Sequence, residues 1–392
     1  MKKLFHLSFI CITTLLLQNC TSGTADKKAD ADTTAVTAAP ATPKERTIWT
    51  KEEANTWYAK QPWLVGCDFL PSTAINQLEM WQAETFDTAT INRELGWAES
   101  IGMNTVRVYL HDLLYQQDST GFLQRMDVFL QIAAKHHIKP LFVLFDSVWD
   151  PYPKLGKQRD PKPGVHNSGW VQNPGKDALL DSTQYPRLEQ YTKGVVAKFA
   201  TDDRVLCWDV WNEPDNMNNE YYRKMEPTNK VQIIQMLLKK AFAWARSVNP
   251  QQPLTSGLWD GDWSSPATMK PFETMMVEES DVISFHNYED TASFEKDIKD
   301  LQRYGKPLLC TEYMARANKS LFKGSLPIAK KYNVAAYNWG LVDGKSQTKY
   351  AWDSWKKAYA GEPPIWFHDI FKKDGTPYKK DETDLIKKLT GR

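Results

Sequence analysis

The 392-residue sequence carries almost no net charge: 49 basic residues stand against 48 acidic ones, a formal +1. No basic stripe runs through it, so nothing argues for a nucleic-acid partner. Cysteine is scarce, five in all. Cys11 falls in an N-terminal apolar stretch and Cys20 just after it, leaving Cys67, Cys207 and Cys310 for the folded part. An odd number, no Cys-x-x-Cys and no matching histidine spacing argue against a disulfide framework or a zinc site. These three read as small buried hydrophobes. A glycine-rich phosphate turn is also missing after the first apolar run, where "GCDFLPST" stands, which counts against an open dinucleotide-binding sheet. In their place are 42% apolar residues, 25% charged residues and 16 tryptophans. That composition builds a large core, and rings at element ends are what a sugar-binding cleft needs, although such rings also fill cores.

The N-terminus is a targeting segment. A basic "MKK" precedes the apolar "LFHLSFICITTLLL", which is too short for a spanning helix of about 20 residues. It ends "LLQNC", which resembles a bacterial lipobox with Cys20 as the lipidated residue. Residues 1–20 are thus expected to be a lipoprotein signal peptide. Residues 21–46, rich in Ala, Thr, Asp and Lys, lack large apolar groups and read as a disordered tether. Together they imply an exported, lipid-anchored monomer in the periplasm, the outer membrane or at the cell surface.

Residues 47–392 read as one catalytic domain. Thr50 with Glu53 forms a capping box that opens a short helix. The chain then alternates. Eight short β-prone runs, "WLVGCDFL", "NTVRVYL", "KPLFVLF", "RVLCWDVWNE", "PLTSGLW", "DVISFHNY", "KPLLCTEY" and "VAAYNWGLV", are separated by amphipathic stretches at 88–101, 121–137, 183–200, 228–248 and 292–304. Alternation forces parallel pairing, and eight such units predict an α/β fold, a closed (β/α)8 TIM barrel of about 250 residues plus insertions. The longest insertion, 147–181, follows the third run and so lies at the mouth where barrel active sites sit.

Polar residues cluster at the ends of the runs: Asp68, Arg107, Asp146, Asn212 with Glu213, Trp259, His286 with Tyr288, Glu312, and Trp339. Runs four and seven face each other across an eight-stranded barrel. Glu213 and Glu312 therefore form a facing carboxylate pair, the minimum apparatus for cleaving a glycosidic bond. Trp208 and Trp211 would wall Glu213 with apolar surface, which suits a proton donor. Arg107 and Tyr288 would serve Glu312 as an attacking anion. His286 would support Glu213, Asn212 would bond the sugar hydroxyl beside the reacting carbon, and Trp339 would be the stacking floor. Asp146 and Trp259 complete the candidate binding set.

"WNEP" at the fourth run, "HNY" at the sixth, "TEY" at the seventh, Arg107 in "TVRVY" and Trp339 in "YNWG" resemble clan A of the retaining glycoside hydrolases, most closely glycoside hydrolase family 5, the cellulase and mannanase family. The resemblance implies double displacement with Glu213 as acid/base and Glu312 as nucleophile. Arg107, Asn212, His286, Tyr288 and Trp339 would support them, with a β-linked oligo- or polysaccharide as substrate and neither metal nor cofactor. Two other functions fit the same residues: a surface glycan-binding protein that does not cleave, and a transglycosylase.

Overall fold

The computed structural model describes residues 46–392. The signal peptide, Cys20 and the tether up to residue 45 lie outside the described residues. Arg46, assigned to the tether, belongs to the folded domain. Its guanidinium donates to the carbonyls of Pro250 (2.9 Å) and Gln252 (2.8 Å) and pairs with Asp281.

All eight β-prone runs form strands: β1 (Val65–Asp68), β2 (Thr105–Tyr109), β3 (Lys139–Val143), β4 (Cys207–Asp209), β5 (Leu254–Thr255), β6 (Ile283–Asn287), β7 (Leu308–Tyr313) and β8 (Ala335–Trp339). They pair in parallel in the order β5-β4-β3-β2-β1-β8-β7-β6. β5 is too short to pair with β6 along its length. The seam is crossed just beyond it by a Leu258–Phe285 bridge, with Leu258 N–H donating to the Ser284 carbonyl (3.1 Å) and His286 N–H to the Leu258 carbonyl (2.8 Å). The arrangement is that of a (β/α)8 barrel.

Four of the five amphipathic stretches form helices where the periodicity places them: Thr88–Ser100, Tyr185–Lys198, Lys230–Ser247 and Thr291–Gln302. The helix expected from residue 121 starts earlier, at Asp112, where the His111 side chain caps it, and runs to Lys135 through a kink at Asp118. The helix Phe322–Lys331 is not signalled by the pattern, because Gly324 and Pro327 lie inside it.

Along each strand alternate side chains divide between two cores. Leu141, Val143, Cys207, Leu309, Ala335 and Tyr337 fill the barrel, whereas Phe142, Trp208, Val210, Phe285 and Cys310 pack outward against the helices. All three cysteines of the domain are free and buried. The helix Lys51–Tyr58, opened by the Thr50–Glu53 capping box, closes the floor of the barrel, where Tyr58 donates to the Asn333 carbonyl (2.9 Å). At the mouth, the insertion after β3 meets the segment after β8. Asn167 N–H donates to the Ser346 carbonyl (2.8 Å), His166 N–H to Ser354 Oγ (2.9 Å) and Tyr359 N–H to the Gly164 carbonyl (3.0 Å). These contacts wall off one side of the cleft.

Candidate active site

The site is built up from a charged layer inside the barrel. Arg107, on β2, is fully buried. Its guanidinium donates to Asp209 (2.7 and 3.1 Å), Asp68 (2.9 Å), Glu312 (2.9 Å), the Tyr109 hydroxyl (2.6 Å) and Asn212 Oδ1 (2.7 Å). Burial opposes its charge, but Tyr109, Asp209, Asp68 and Glu312 together hold it well above its ordinary value. Burial, reinforced by Glu312 and Asp209, pushes Asp68 well above the usual carboxylate range. Arg107 thus does not line the cleft, as a substrate-binding residue would; it is the cation on which three carboxylates are assembled. Replacing it by Met is expected to cost about 3–5 kcal/mol of stability, because partners of a buried ion are left uncompensated. A denaturant titration of Arg107→Met reads this directly; a loss under about 1 kcal/mol, typical of exposed pairs, contradicts it.

Glu312 ends up inside the barrel through an irregularity in β7. Leu309 points inward and Cys310 outward, so strict alternation would turn residue 312 outward as well. Between Cys310 and Glu312 the register against β6 shifts: Phe285 faces Cys310, but His286 faces Glu312. Thr311 is the extra residue of a β-bulge, and the bulge returns Glu312 to the interior while Tyr313 packs outward. Three groups converge on its carboxylate: Arg107 on Oε1 (2.9 Å), the Tyr109 hydroxyl on Oε1 (3.1 Å) and the Tyr288 hydroxyl on Oε2 (2.7 Å). Burial pushes both tyrosines well above their ordinary values, so both hydroxyls keep the proton they donate. Arg316, four residues on, pairs instead with Glu382 of the C-terminal helix (2.6 Å).

Glu213 follows β4 in a left-handed turn, φ 44°. A residue with a Cβ enters that region only when its surroundings hold it there. The turn stops the strand and lifts the carboxylate into the mouth. His286 Nδ1 lies 2.9 Å from Oε1, and Asn216 Nδ2 donates to Oε2 (2.6 Å). Behind the turn, Asn218 donates to the buried Glu226 (2.6 Å), and Glu226 pairs with the buried Lys230 (2.7 Å). Glu213, His286 and Glu312 each offer one donor atom within 4.8 Å of the other two. Among the described residues they form the one cluster close enough to hold a metal ion, although the Nδ1 atom of His286 is bonded to Glu213. A carboxyl pair at about 5–5.5 Å lets one acid attack the anomeric carbon directly; at about 6.5–9.5 Å it only activates water.

Asn212 is oriented by its partners. Its Oδ1 accepts from Arg107 (2.7 Å) and its Nδ2 donates to Asp146 (2.9 Å), so one N–H remains free for the cleft. Asp146 is buried beneath it and also accepts from Trp170 Nε1 (2.6 Å). Burial pushes Asp146 up to about 8, against the pull of those two donors. It positions Asn212 and does not touch the cleft, contrary to the sequence expectation.

The cleft, of about 330 Å³, is lined by Glu213, Glu312, Asn212, Tyr288, Trp259 and Trp339 from the expected set. Trp208 and Trp211 do not wall Glu213. Trp208 stacks on Phe142 (5.7 Å) and Trp211 packs on Phe145 (4.8 Å), both in the outer core. The apolar walls are Val148, Trp149, Trp259, Trp339 and Trp352 instead. Trp339 is held edge-on by Tyr109 (5.7 Å) and Trp170 (5.6 Å). Asn216, His166, Asn167 and His368 also line the cleft. Sequence reading misses them because they sit in loops, where no periodicity marks direction. The spacing of Asn216, three residues after Glu213, is the one signal that could have found it.

Residues 72–358 match the family model described as Cellulase (glycosyl hydrolase family 5). The chain belongs to glycosyl hydrolase family 5. Both carboxylates of the pair fall in the matched region. The chain is 23% identical over 291 residues to the mannan endo-1,4-β-mannosidase A of Emericella nidulans, an alignment covering 69% of this chain and 65% of that protein. It is similar in fold to an exo-β-1,4-mannosidase from Opitutaceae bacterium strain TAV5 (TM-score 0.54, 16% identity, 84% of this chain and 59% of that one). The endo-1,4-β-mannanase of Rhizomucor miehei is similar too (TM-score 0.53, 14% identity, 83% and 97%).

Proposed function

We propose that this family 5 chain hydrolyses β-glycosidic bonds of β-mannan-type oligo- or polysaccharides by double displacement, with Glu213 as acid/base and Glu312 as nucleophile. The observation that carries this reading is the pair itself: two carboxylates on facing strands, with oxygens within 4.8 Å, in unlike surroundings. A guanidinium and two hydroxyls orient Glu312 for attack. An amide and an imidazole hold Glu213.

In the first step a Glu312 oxygen bonds to the anomeric carbon as the glycosidic bond breaks, and Glu213 gives its proton to the leaving oxygen. In the second, Glu213 takes a proton from water, the water oxygen bonds to the anomeric carbon, and the Glu312 ester breaks. The free N–H of Asn212 serves the hydroxyl next to that carbon, and Trp339 supplies the face on which the ring stacks. Mannan is chosen because the Emericella nidulans relative is named for cleaving it.

The test is the first product formed. In ¹H NMR of β-mannooligosaccharide hydrolysis, the β anomer is expected to appear before mutarotation. An α anomer appearing first would overturn retention; no cleavage of any β-mannoside would overturn the substrate class.

A further inference from the structure

Two histidines with no part in that chemistry line the cleft. His166 comes from the insertion after β3 and His368 from the segment after β8, yet their rings lie 5.4 Å apart. Both are buried, His368 completely. Each ring is pinned in the same way. His166 Nδ1 lies 2.8 Å from the Tyr350 carbonyl, and His368 Nδ1 lies 2.7 Å from the Met314 carbonyl. A carbonyl oxygen only accepts, so in both rings Nδ1 carries the proton and Nε2 is a bare acceptor. Burial keeps both rings neutral, lowering His166 to about 4 and His368 well below its ordinary value. The buried Nε2 of His368 has no hydrogen-bond partner within the protein, and buried polar atoms left that way call for an explanation.

The pair lies on the Glu312 side of the site. The His368 ring is 5.6 Å from Tyr288, whose hydroxyl donates to Glu312 (2.7 Å), and His166 packs against His368. In double displacement the sugar over the nucleophile is the one whose anomeric carbon reacts. We infer that His166 and His368 are specificity-determining residues, whose Nε2 atoms accept hydrogen bonds from free hydroxyls of the sugar on the glycone side of the cleaved bond. This rests on the hydrolase reading above. The consequence is chemical: a glycone bearing a carboxylate, an ester or an ether at those positions offers no proton and meets two lone pairs.

The test pairs protein variants with substrate variants. Asn in place of either histidine keeps an amide N–H near the Nδ1 position and its bond to the carbonyl, but leaves nothing at Nε2; Gln restores an oxygen there. His368→Asn and His166→Asn are each expected to lose about 5–10-fold in kcat/KM on β-mannotriose, mainly through KM. The Gln variants are expected to recover most of it. Across trisaccharides with one glycone hydroxyl at a time replaced by hydrogen, one deoxy sugar per histidine should cost the natural protein that same factor and its Asn variant nothing more. Additive losses for every deoxy sugar, or Asn variants that differ only in kcat, would overturn the inference. Should the variants not fold, ¹⁵N NMR of the histidines in Glu312→Gln protein decides. The Nε2 resonances are expected to shift on saturation with β-mannotriose, and unmoved resonances with bound sugar would overturn the inference. If the natural protein binds β-mannotriose but cleaves no β-mannoside, it is the underlying hydrolase reading that falls instead.

Discussion

Glu312→Gln is expected to lower kcat on β-mannooligosaccharides by about 10³-fold or more, which at 1.36 kcal/mol per tenfold is at least about 4 kcal/mol of transition-state stabilisation. Gln has nearly the shape of Glu and still accepts from Tyr288, so sugar binding should change only a few-fold. That split separates lost chemistry from lost binding. The smaller variant Glu312→Ala leaves room for an external anion. With azide present it is expected to form an α-glycosyl azide, because azide enters from the face the carboxylate used. A rate for Glu312→Gln within tenfold of the natural protein would remove Glu312 as nucleophile. Undiminished sugar binding with no cleavage by the natural protein would instead favour a glycan-capture protein.

Glu213→Gln should show a loss that depends on the leaving group. Oligosaccharides need a proton on the departing oxygen, so their hydrolysis is expected to fall by about 10²–10⁴-fold. A 2,4-dinitrophenyl β-mannoside needs no such proton. Its first step should proceed at near the natural rate and then stall, because Glu213 is also the base that activates water. A burst of dinitrophenolate followed by slow turnover is the expected trace. Equal losses on both substrates would assign Glu213 a structural role at the left-handed turn instead.

Much of this protein is legible from its order of residues. The eight β-prone runs fall on the eight strands, because period-two patterning and β-branched composition are local properties. The run ends are enough to name Glu213, Glu312, Asn212, Tyr288, Trp259 and Trp339, which line one cleft, whereas Arg107 and Asp146, named with them, lie buried beneath it. Nothing in the sequence marks Asp209 and Tyr109, because each lies within a run and looks like any other strand residue. The structure makes Asp209 a principal counter-ion of Arg107 and Tyr109 a donor to Glu312.

The residues alone establish which chemistry is available: two acids, an amide, an imidazole and a set of rings, spaced one barrel unit after another. They do not establish direction. Trp208 and Trp211 point away from Glu213, and Glu312 points inward through a single unpaired residue, Thr311, that reverses the parity of β7. His166 and His368 are separated by two hundred residues of chain, yet two loops bring them to one wall. Side-chain direction and loop closure depend on long-range pairing of strands and on packing between segments distant in the chain, and neither leaves a periodic trace in the sequence.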